Sequence, residues 1–217
     1  MLEASFHCVA LDLRGFGDSS AAAAYGVAAM ADDVLAVVKA LKLERYAIIG
    51  HSMGGKVALA AAARRPVGLE RLVLIASSPP TPEPMEASER ARLLRSHGDR
   101  AAAIKTNHSI SRLPIAADAL KTLLEDNSRC SPGAWRAWLE SGSLETLELD
   151  SLDIPALLIA GEHDPVIPLE LLRSEIAPLL TEPGVEIIAG AGHLLPLEAA
   201  ERVAELIAAH AAGISGT

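Results

Sequence analysis

Gly50-His51-Ser52-Met53-Gly54-Gly55 stands between an apolar run, Tyr46-Ala47-Ile48-Ile49, and an alanine-rich stretch, Lys56 to Arg65. A strand, a tight turn and a helix are thus written in immediate succession. No other feature of the chain constrains its fold so narrowly. Strand and helix must pass close to each other beside the turn, which calls for residues without a Cβ, and Gly50 and Gly54 supply them. Ser52 is lifted to the top of that turn, at a helix start, where free N–H groups and the helix dipole favour negative charge. Gly-x-Ser-x-Gly by itself is also the pattern of any turn rich in small residues. Its meaning depends on its flanks and on residues downstream.

The flanks repeat one rhythm. Cys8-Val9-Ala10-Leu11 reads as a buried strand, with Asp12-Leu13-Arg14-Gly15-Phe16-Gly17-Asp18-Ser19 as the loop after it. Val27 to Leu41 has helical spacing, with Asp32 and Asp33 in its early turns. Ala47–Gly50 is a second strand and Met53–Arg64 a helix. Strands follow at Leu72–Ala76, Ala156–Ala160 and Val185–Ala189, with helices at Leu169–Leu180 and Leu197–Ala209. Strands that read as continuous apolar runs and alternate with helices predict an α/β fold, a mostly parallel, doubly wound sheet covered on both faces.

One region breaks the rhythm. Ser77-Ser78-Pro79-Pro80-Thr81-Pro82-Glu83-Pro84 leaves the third strand, and from Met85 to about Leu149 the pattern is helical and polar. Ile154-Pro155 then restarts the sheet. The division expected is a core formed by 1–78 and 151–217, with a helical lid or cap insertion at 79–150. An insertion there would lie over the strand ends, where open α/β sheets bind ligands; a helical side layer without a lid role is the alternative.

With 217 residues, half of them apolar, the chain can bury a core of its own. A net charge of −9 argues against nucleic acid, whose phosphates need basic patches. Cys8 and Cys130, the two cysteines, make no disulfide framework and no C-x-x-C, so a reduced, cytoplasmic setting is expected. The N-terminus lacks the basic start and apolar stretch of a signal peptide, and no uncharged run is long enough to span a membrane. H-E-x-x-H, P-loop and zinc spacings do not occur, so neither a metal nor another cofactor is expected. Gly15-Phe16-Gly17 lacks the third glycine of a dinucleotide fingerprint and reads as a turn.

A serine hydroxyl is a poor nucleophile until a base takes its proton, and the usual base is a histidine oriented by a carboxylate. Two loops at strand ends carry such residues: Gly161-Glu162-His163-Asp164-Pro165-Val166-Ile167-Pro168 and Gly190-Ala191-Gly192-His193-Leu194-Leu195-Pro196-Leu197-Glu198. Asp164 and His193 each fall a few residues past a strand end, on the side that carries Ser52. The chain order is Ser, Asp, His.

Together, the Asp12–Ser19 segment, the Ser52 turn, Gly161-Glu162-His163-Asp164-Pro165 and Gly192-His193 resemble the α/β-hydrolase family, in its esterase, lactonase and C–C-hydrolase branch. The resemblance spans nearly the whole chain. It implies Ser52 as nucleophile on an elbow formed by Gly50, His51 and Gly54. It implies His193 as base and acid, and Asp164 as the carboxylate that orients it. The oxyanion would be held by the backbone N–H of Met53 and a second donor. Relatives with dehalogenase or epoxide-hydrolase chemistry use an aspartate where Ser52 stands. The implied reaction is cleavage of a carboxylic ester, lactone or similar small acyl substrate through an acyl-enzyme.

Other polar residues have plainer readings. Glu162 reads as a solvated loop residue, and His51 and His163 as structural or pocket-lining. Asp12 and Asp18 read as turn residues, and Trp135 and Trp138 as packing within the insertion. His7, His97, His108 and His210 have no partner pattern.

By resemblance, the second oxyanion donor comes from a His-Gly loop that precedes the Asp12 segment, and only eleven residues precede Asp12. Three family strands and that loop do not occur there. An N-terminally shortened gene reading, a compact hydrolase with another donor, and a non-catalytic small-molecule binder all remain open, as does acyl or perhydrolytic transfer. Cys8–Leu11 is expected either to pair directly with Ala47–Gly50 or to leave a gap in the sheet. A sheet missing strands has an open edge, which makes a homodimer the assembly to test.

Overall fold

The structure, a computed structural model, describes residues 2–212; residue 1 and residues 213–217, the outer ends of the expected core segments, lie outside them. Four strands form one parallel sheet in the order β1-β2-β3-β4: β1 Tyr46–His51, β2 Leu69–Ile75, β3 Ala156–Gly161 and β4 Gly184–Ile188. Ile49 lies opposite Val73, Val73 opposite Leu157, and Leu157 opposite Gly184. α1 (Val27–Ala40) precedes β1, and α2 (Met53–Ala62) leads from β1 to β2.

Alternation along the central strands builds two cores. Leu72 and Leu74 of β2, with Leu158 and Ala160 of β3, face Met30 and Ala31 of α1 and Leu59 of α2. Val73 and Ile75, with Leu157 and Ile159, face the opposite way. They meet Val203, Leu206 and Ile207 of the C-terminal helix Ala200–Ala211. Both faces are covered, which is why β2 and β3 read as unbroken apolar runs.

Between β2 and β3 the chain leaves the sheet through four helices: α3 Ala87–Arg95, α4 Arg100–Ile110, α5 Ala117–Arg129 and α6 Pro132–Glu140. Asp99 caps α4 by accepting from Ala101 N and Ala102 N, and Ser131 caps α6 by accepting from Ala134 N. The two ends of this insertion are tied together, with Leu147 N donating to Pro80 O at 2.8 Å and Glu83 N to Ser143 O at 2.8 Å. Lys56 of α2, fully buried, donates from Nζ to the carbonyls of Thr81 and Glu145, one on each arm. Trp135 packs within the insertion, its Nε1 donating to Leu93 O at 2.9 Å, and Trp138 packs against the main core.

After β3, α7 (Leu169–Leu171) continues as a π turn, Leu172–Ile176, and a 3-10 turn, Ala177–Leu179. The expected terminal helix divides into α8, Leu195–Glu198, and α9, Ala200–Ala211.

Cys8–Leu11 is not a strand, contrary to its sequence pattern. It is irregular and exposed, Val9 by 44% and Leu11 by 38%. An apolar run becomes a strand only where another edge meets its N–H and C=O groups. β1 pairs with β2 and leaves its other edge open, with Ile49 exposed. On either side of the run the chain does reach the core, with Leu2 packed against one cluster and Leu13, Phe16 and Tyr25 against the other.

Candidate active site

Ser52 joins β1 to α2 at φ 51° and ψ −120°, a backbone conformation that L-residues rarely adopt. Such strain costs on the order of 1–3 kcal/mol and persists only where the surroundings enforce it. Here Ser52 N donates to Ile75 O at 3.0 Å, while Ser52 O accepts from Gly55 N at 2.8 Å and Ser78 N at 3.0 Å. The turn is therefore locked to the end of β2. The close approach occurs at Gly50 and Gly55. A Cβ on Gly50 would lie 2.3 Å from Gly54 O, and one on Gly55 2.2 Å from Ser77 Oγ. Gly54 corrects the sequence expectation, because a Cβ there would meet nothing within 4 Å. The second glycine of the pattern is not the crowded one.

Three residues from separate loops meet at this turn. His193 Nε2 lies 2.9 Å from Ser52 Oγ, and His193 Nδ1 lies 2.9 Å from Asp164 Oδ2. Asp164 and His193 are buried, 7% and 5% exposed, so their mutual attraction is little screened by water. The other carboxylate oxygen of Asp164 accepts from Val166 N at 2.8 Å and Ile167 N at 3.0 Å. With both oxygens engaged, the carboxylate cannot swing away. A carboxylate at Nδ1 holds the proton on that nitrogen and leaves Nε2 as an acceptor for the Ser52 hydroxyl. Met53 is the first residue of α2, with its N–H at the helix start beside Ser52.

The loop that carries His193 is braced as firmly as the Ser52 turn. His193 N donates to Ile110 O at 2.8 Å, His163 N donates to Ala191 O at 2.9 Å, and a Cβ on Gly161 would lie 2.1 Å from Gly192 O. His51 Nε2 donates to His193 O at 2.8 Å. Burial first, then the neighbouring His193 ring, pushes the His51 imidazole down to about 4. The neutral His51 ring joins the Ser52 turn to the loop that carries His193.

The remaining candidates separate cleanly. Glu162 and His163 are exposed, although Glu162 also accepts from Gly190 N at 2.8 Å. Asp12 accepts from Asp18 N within its turn, and Asp18 pairs with Arg129. His97 Nε2 donates to Cys130 O, and His210 Nε2 to Pro155 O. Among the described residues no group of three or more His, Cys, Asp or Glu side chains is placed to hold a metal ion. Among them, too, no helix is long and apolar enough to cross a membrane.

Two buried groups near the site escape the sequence reading. Glu83 accepts from Ser78 Oγ, and burial raises its carboxyl above the usual range, offset by that hydrogen bond and by Lys56. Glu198, only 8% exposed, receives backbone N–H groups from both sides of His193. In sequence each stands among loop or helix-start residues where an exposed glutamate is ordinary.

A family model described as the alpha/beta hydrolase family matches residues 2–206. N-formylmaleamate deformylase of Pseudomonas putida is 31% identical over 206 residues, covering 88% of this chain and 73% of that protein. 2-hydroxymuconate semialdehyde hydrolase of a Pseudomonas species is 29% identical over 220 residues, covering 95% and 76%. Among solved structures, an esterase from Exiguobacterium antarcticum superposes with a TM-score of 0.83 over 92% of this chain and 79% of its own, at 21% identity.

Proposed function

The chain belongs to the alpha/beta hydrolase family, and from that premise we propose that it is a serine hydrolase with Ser52 as nucleophile, His193 as base and Asp164 as the orienting carboxylate. The supporting observation is the unbroken relay of two 2.9 Å contacts, from Ser52 Oγ to His193 Nε2 and from His193 Nδ1 to Asp164. His193 takes the Ser52 proton as Oγ attacks an acyl carbonyl. The negative charge that develops on the carbonyl oxygen meets the N–H of Met53 at the start of α2. The imidazolium, stabilised by Asp164, returns its proton to the leaving group. A water, deprotonated in turn by His193, then releases the acid and restores Ser52.

The substrate class proposed is a carboxylic ester, lactone or similar small acyl compound. The two relatives above are named for small-molecule substrates, one as a deformylase and one as a hydrolase. Residues 79–150 serve as the lid in this reading, since the last residue of α4, Ile110, accepts from His193 N in the base loop. The free thiols of Cys8 and Cys130 fit a reducing, cytoplasmic setting, and the open edge of β1 is where a homodimer would form.

The test is turnover of short p-nitrophenyl esters together with labelling by a fluorophosphonate. Hydrolysis and labelling that both disappear in Ser52→Ala and in His193→Ala carry the proposal. Parent-level hydrolysis by Ser52→Ala overturns it. Folded protein that is neither labelled nor active but is thermally stabilised by small ligands would be a binder on this scaffold. Ester or peracid products formed with added alcohol or peroxide would make it a transferase.

A further inference from the structure

Glu198 is the most heavily used acceptor beside the site. Its Oε2 accepts from Gly192 N at 2.8 Å, Arg112 N at 2.7 Å and Leu113 N at 2.8 Å, and its Oε1 accepts from Leu194 N at 2.8 Å. Four backbone donors from two segments about eighty residues apart in sequence thus converge on one buried carboxylate. Two of them flank His193 directly. The other two belong to the chain as it leaves α4, immediately after Ile110, whose carbonyl accepts from His193 N. Gly192 and Ile110 are so close that a Cβ on Gly192 would lie 2.4 Å from Ile110 O.

Each backbone group around the imidazole is therefore assigned. His193 N is held by Ile110 O, His193 O by His51 Nε2, and the N–H groups on either side of His193 by Glu198. Hydrogen bonds to an ionised acceptor are stronger than neutral ones, and in a buried site they resist exchange with water.

We propose that Glu198 is a positioning residue for His193: it clamps both flanks of the base loop and fastens that loop to residues 110–113, so that the helical insertion sets the register of the base. Glu198 acts on the ring through the backbone, by way of the N–H groups of Gly192 and Leu194. The proposal rests on the reading of His193 as base. It adds that the insertion is part of the catalytic frame, and that movement at the exit of α4 is felt at Ser52.

Glu198→Gln and Glu198→Ala test this. Glutamine keeps one acceptor oxygen for Gly192, Arg112 and Leu113 but turns an amide N–H toward Leu194 N, so one clamp contact becomes a clash. Expected in Glu198→Gln is an unchanged far-UV circular dichroism spectrum, with kcat on p-nitrophenyl acetate lowered by about 10²-fold and KM nearly unchanged. Glu198→Ala should fall further than Glu198→Gln. The decisive readout is independent of turnover, namely the low-field proton resonance of His193 Nδ1–H against Asp164. It should shift or broaden in Glu198→Gln at a temperature where the protein is fully folded. An unchanged resonance, or parent-level kcat in folded Glu198→Gln, overturns the proposal. Failure of the base assignment looks different, because His193→Ala would then retain activity while the Glu198→Gln resonance still reports whether the ring moved.

Discussion

The imidazole of His51 donates from Nε2 to the carbonyl oxygen of His193 at 2.8 Å, and the two rings lie 5.2 Å apart. Because the acceptor is a carbonyl, that nitrogen must carry a proton. A second proton on the His51 ring would be desolvated and would face the His193 imidazole. Burial, then repulsion by His193, accordingly lowers the His51 pKa from 6.5 to about 4. Above pH 6.5 the ring is neutral in both folded and unfolded chains. As pH falls from 6.5 toward 4, the unfolded chain binds a proton that the folded chain refuses. Stability is therefore lost across that window, by at most about 3 kcal/mol. His51→Gln keeps a donor for the carbonyl and removes the titration. Its melting temperature should fall less steeply between pH 6.5 and 4 than that of the parent, as followed by circular dichroism in matched buffers.

Asp164→Asn separates the orientation of the base from its presence. The asparagine oxygen can still accept from Val166 N and Ile167 N, the contacts that Asp164 Oδ1 now makes. Its amide N–H then faces His193 Nδ1, which must become an acceptor. The proton moves to Nε2, and the base can no longer take the Ser52 proton. The fold should persist while kcat falls by about 10⁴-fold. Activity within tenfold of the parent in a folded variant would remove Asp164 from the mechanism.

What the sequence made legible follows from what is local. β2 and β3 announced themselves because both faces are covered, and the elbow because its turn needs small residues at fixed offsets. That the side chains of Ser52, Asp164 and His193 meet was legible because each lies in a loop at a strand end. The Cys8–Leu11 run shows the limit. Apolar composition expresses a preference for burial, but pairing needs an edge supplied by another part of the chain. Glu198 and Lys56 were illegible for a related reason. Their partners are backbone groups at Arg112, Leu113, Thr81 and Glu145, and backbone groups leave no sequence signature. Gly54 was misread because proximity along a pattern is not proximity in space.

Lys56 joins α2 to both arms of the insertion. Its ammonium is fully buried and donates to the carbonyls of Thr81 and Glu145. Desolvation lowers its pKa, and nearby Glu83 and Glu145 partly restore it. Lys56→Ala would leave two buried carbonyls without their donor and Glu83 without its compensating charge. Removing one member of such a buried set costs roughly 3–5 kcal/mol. At this chain length that lowers the melting temperature by about 6–20 °C. Proteolysis within 79–150 should accelerate in the variant before the rest of the chain is cut. A melting temperature within about 2 °C of the parent would show that water replaces the ammonium without cost.

The two cysteines should differ in reactivity. Cys8 is exposed, whereas Cys130 is buried at the end of α5 and burial pushes its thiol up to about 11. At pH 8 only about one Cys130 in 10³ is thiolate, and the reagent must also reach it. A chromogenic disulfide should therefore titrate one thiol rapidly in the native protein and a second on denaturation. Cys8→Ser should abolish the rapid phase. Two equally fast thiols would mean that the α5–α6 junction opens readily.

Gly50 and Gly54 belong to one sequence pattern and should respond oppositely to the same change. At Gly50 a methyl group would meet the backbone of the facing helix, 2.3 Å from Gly54 O and 2.6 Å from Gly54 C. Backbone cannot rotate aside as a side chain can, so β1 and α2 must separate. Gly50→Ala should cost about 1–3 kcal/mol and displace Ser52 from His193 Nε2, with labelling by a fluorophosphonate lost together with stability. At Gly54 the methyl group would enter open space within the first turn of α2, and alanine favours a helix over glycine by up to about 1 kcal/mol. Gly54→Ala should melt no lower than the parent. If it is stable yet unlabelled, the space beside Gly54 is used by the reacting substrate, and its glycine serves access to Ser52 rather than the packing of the elbow.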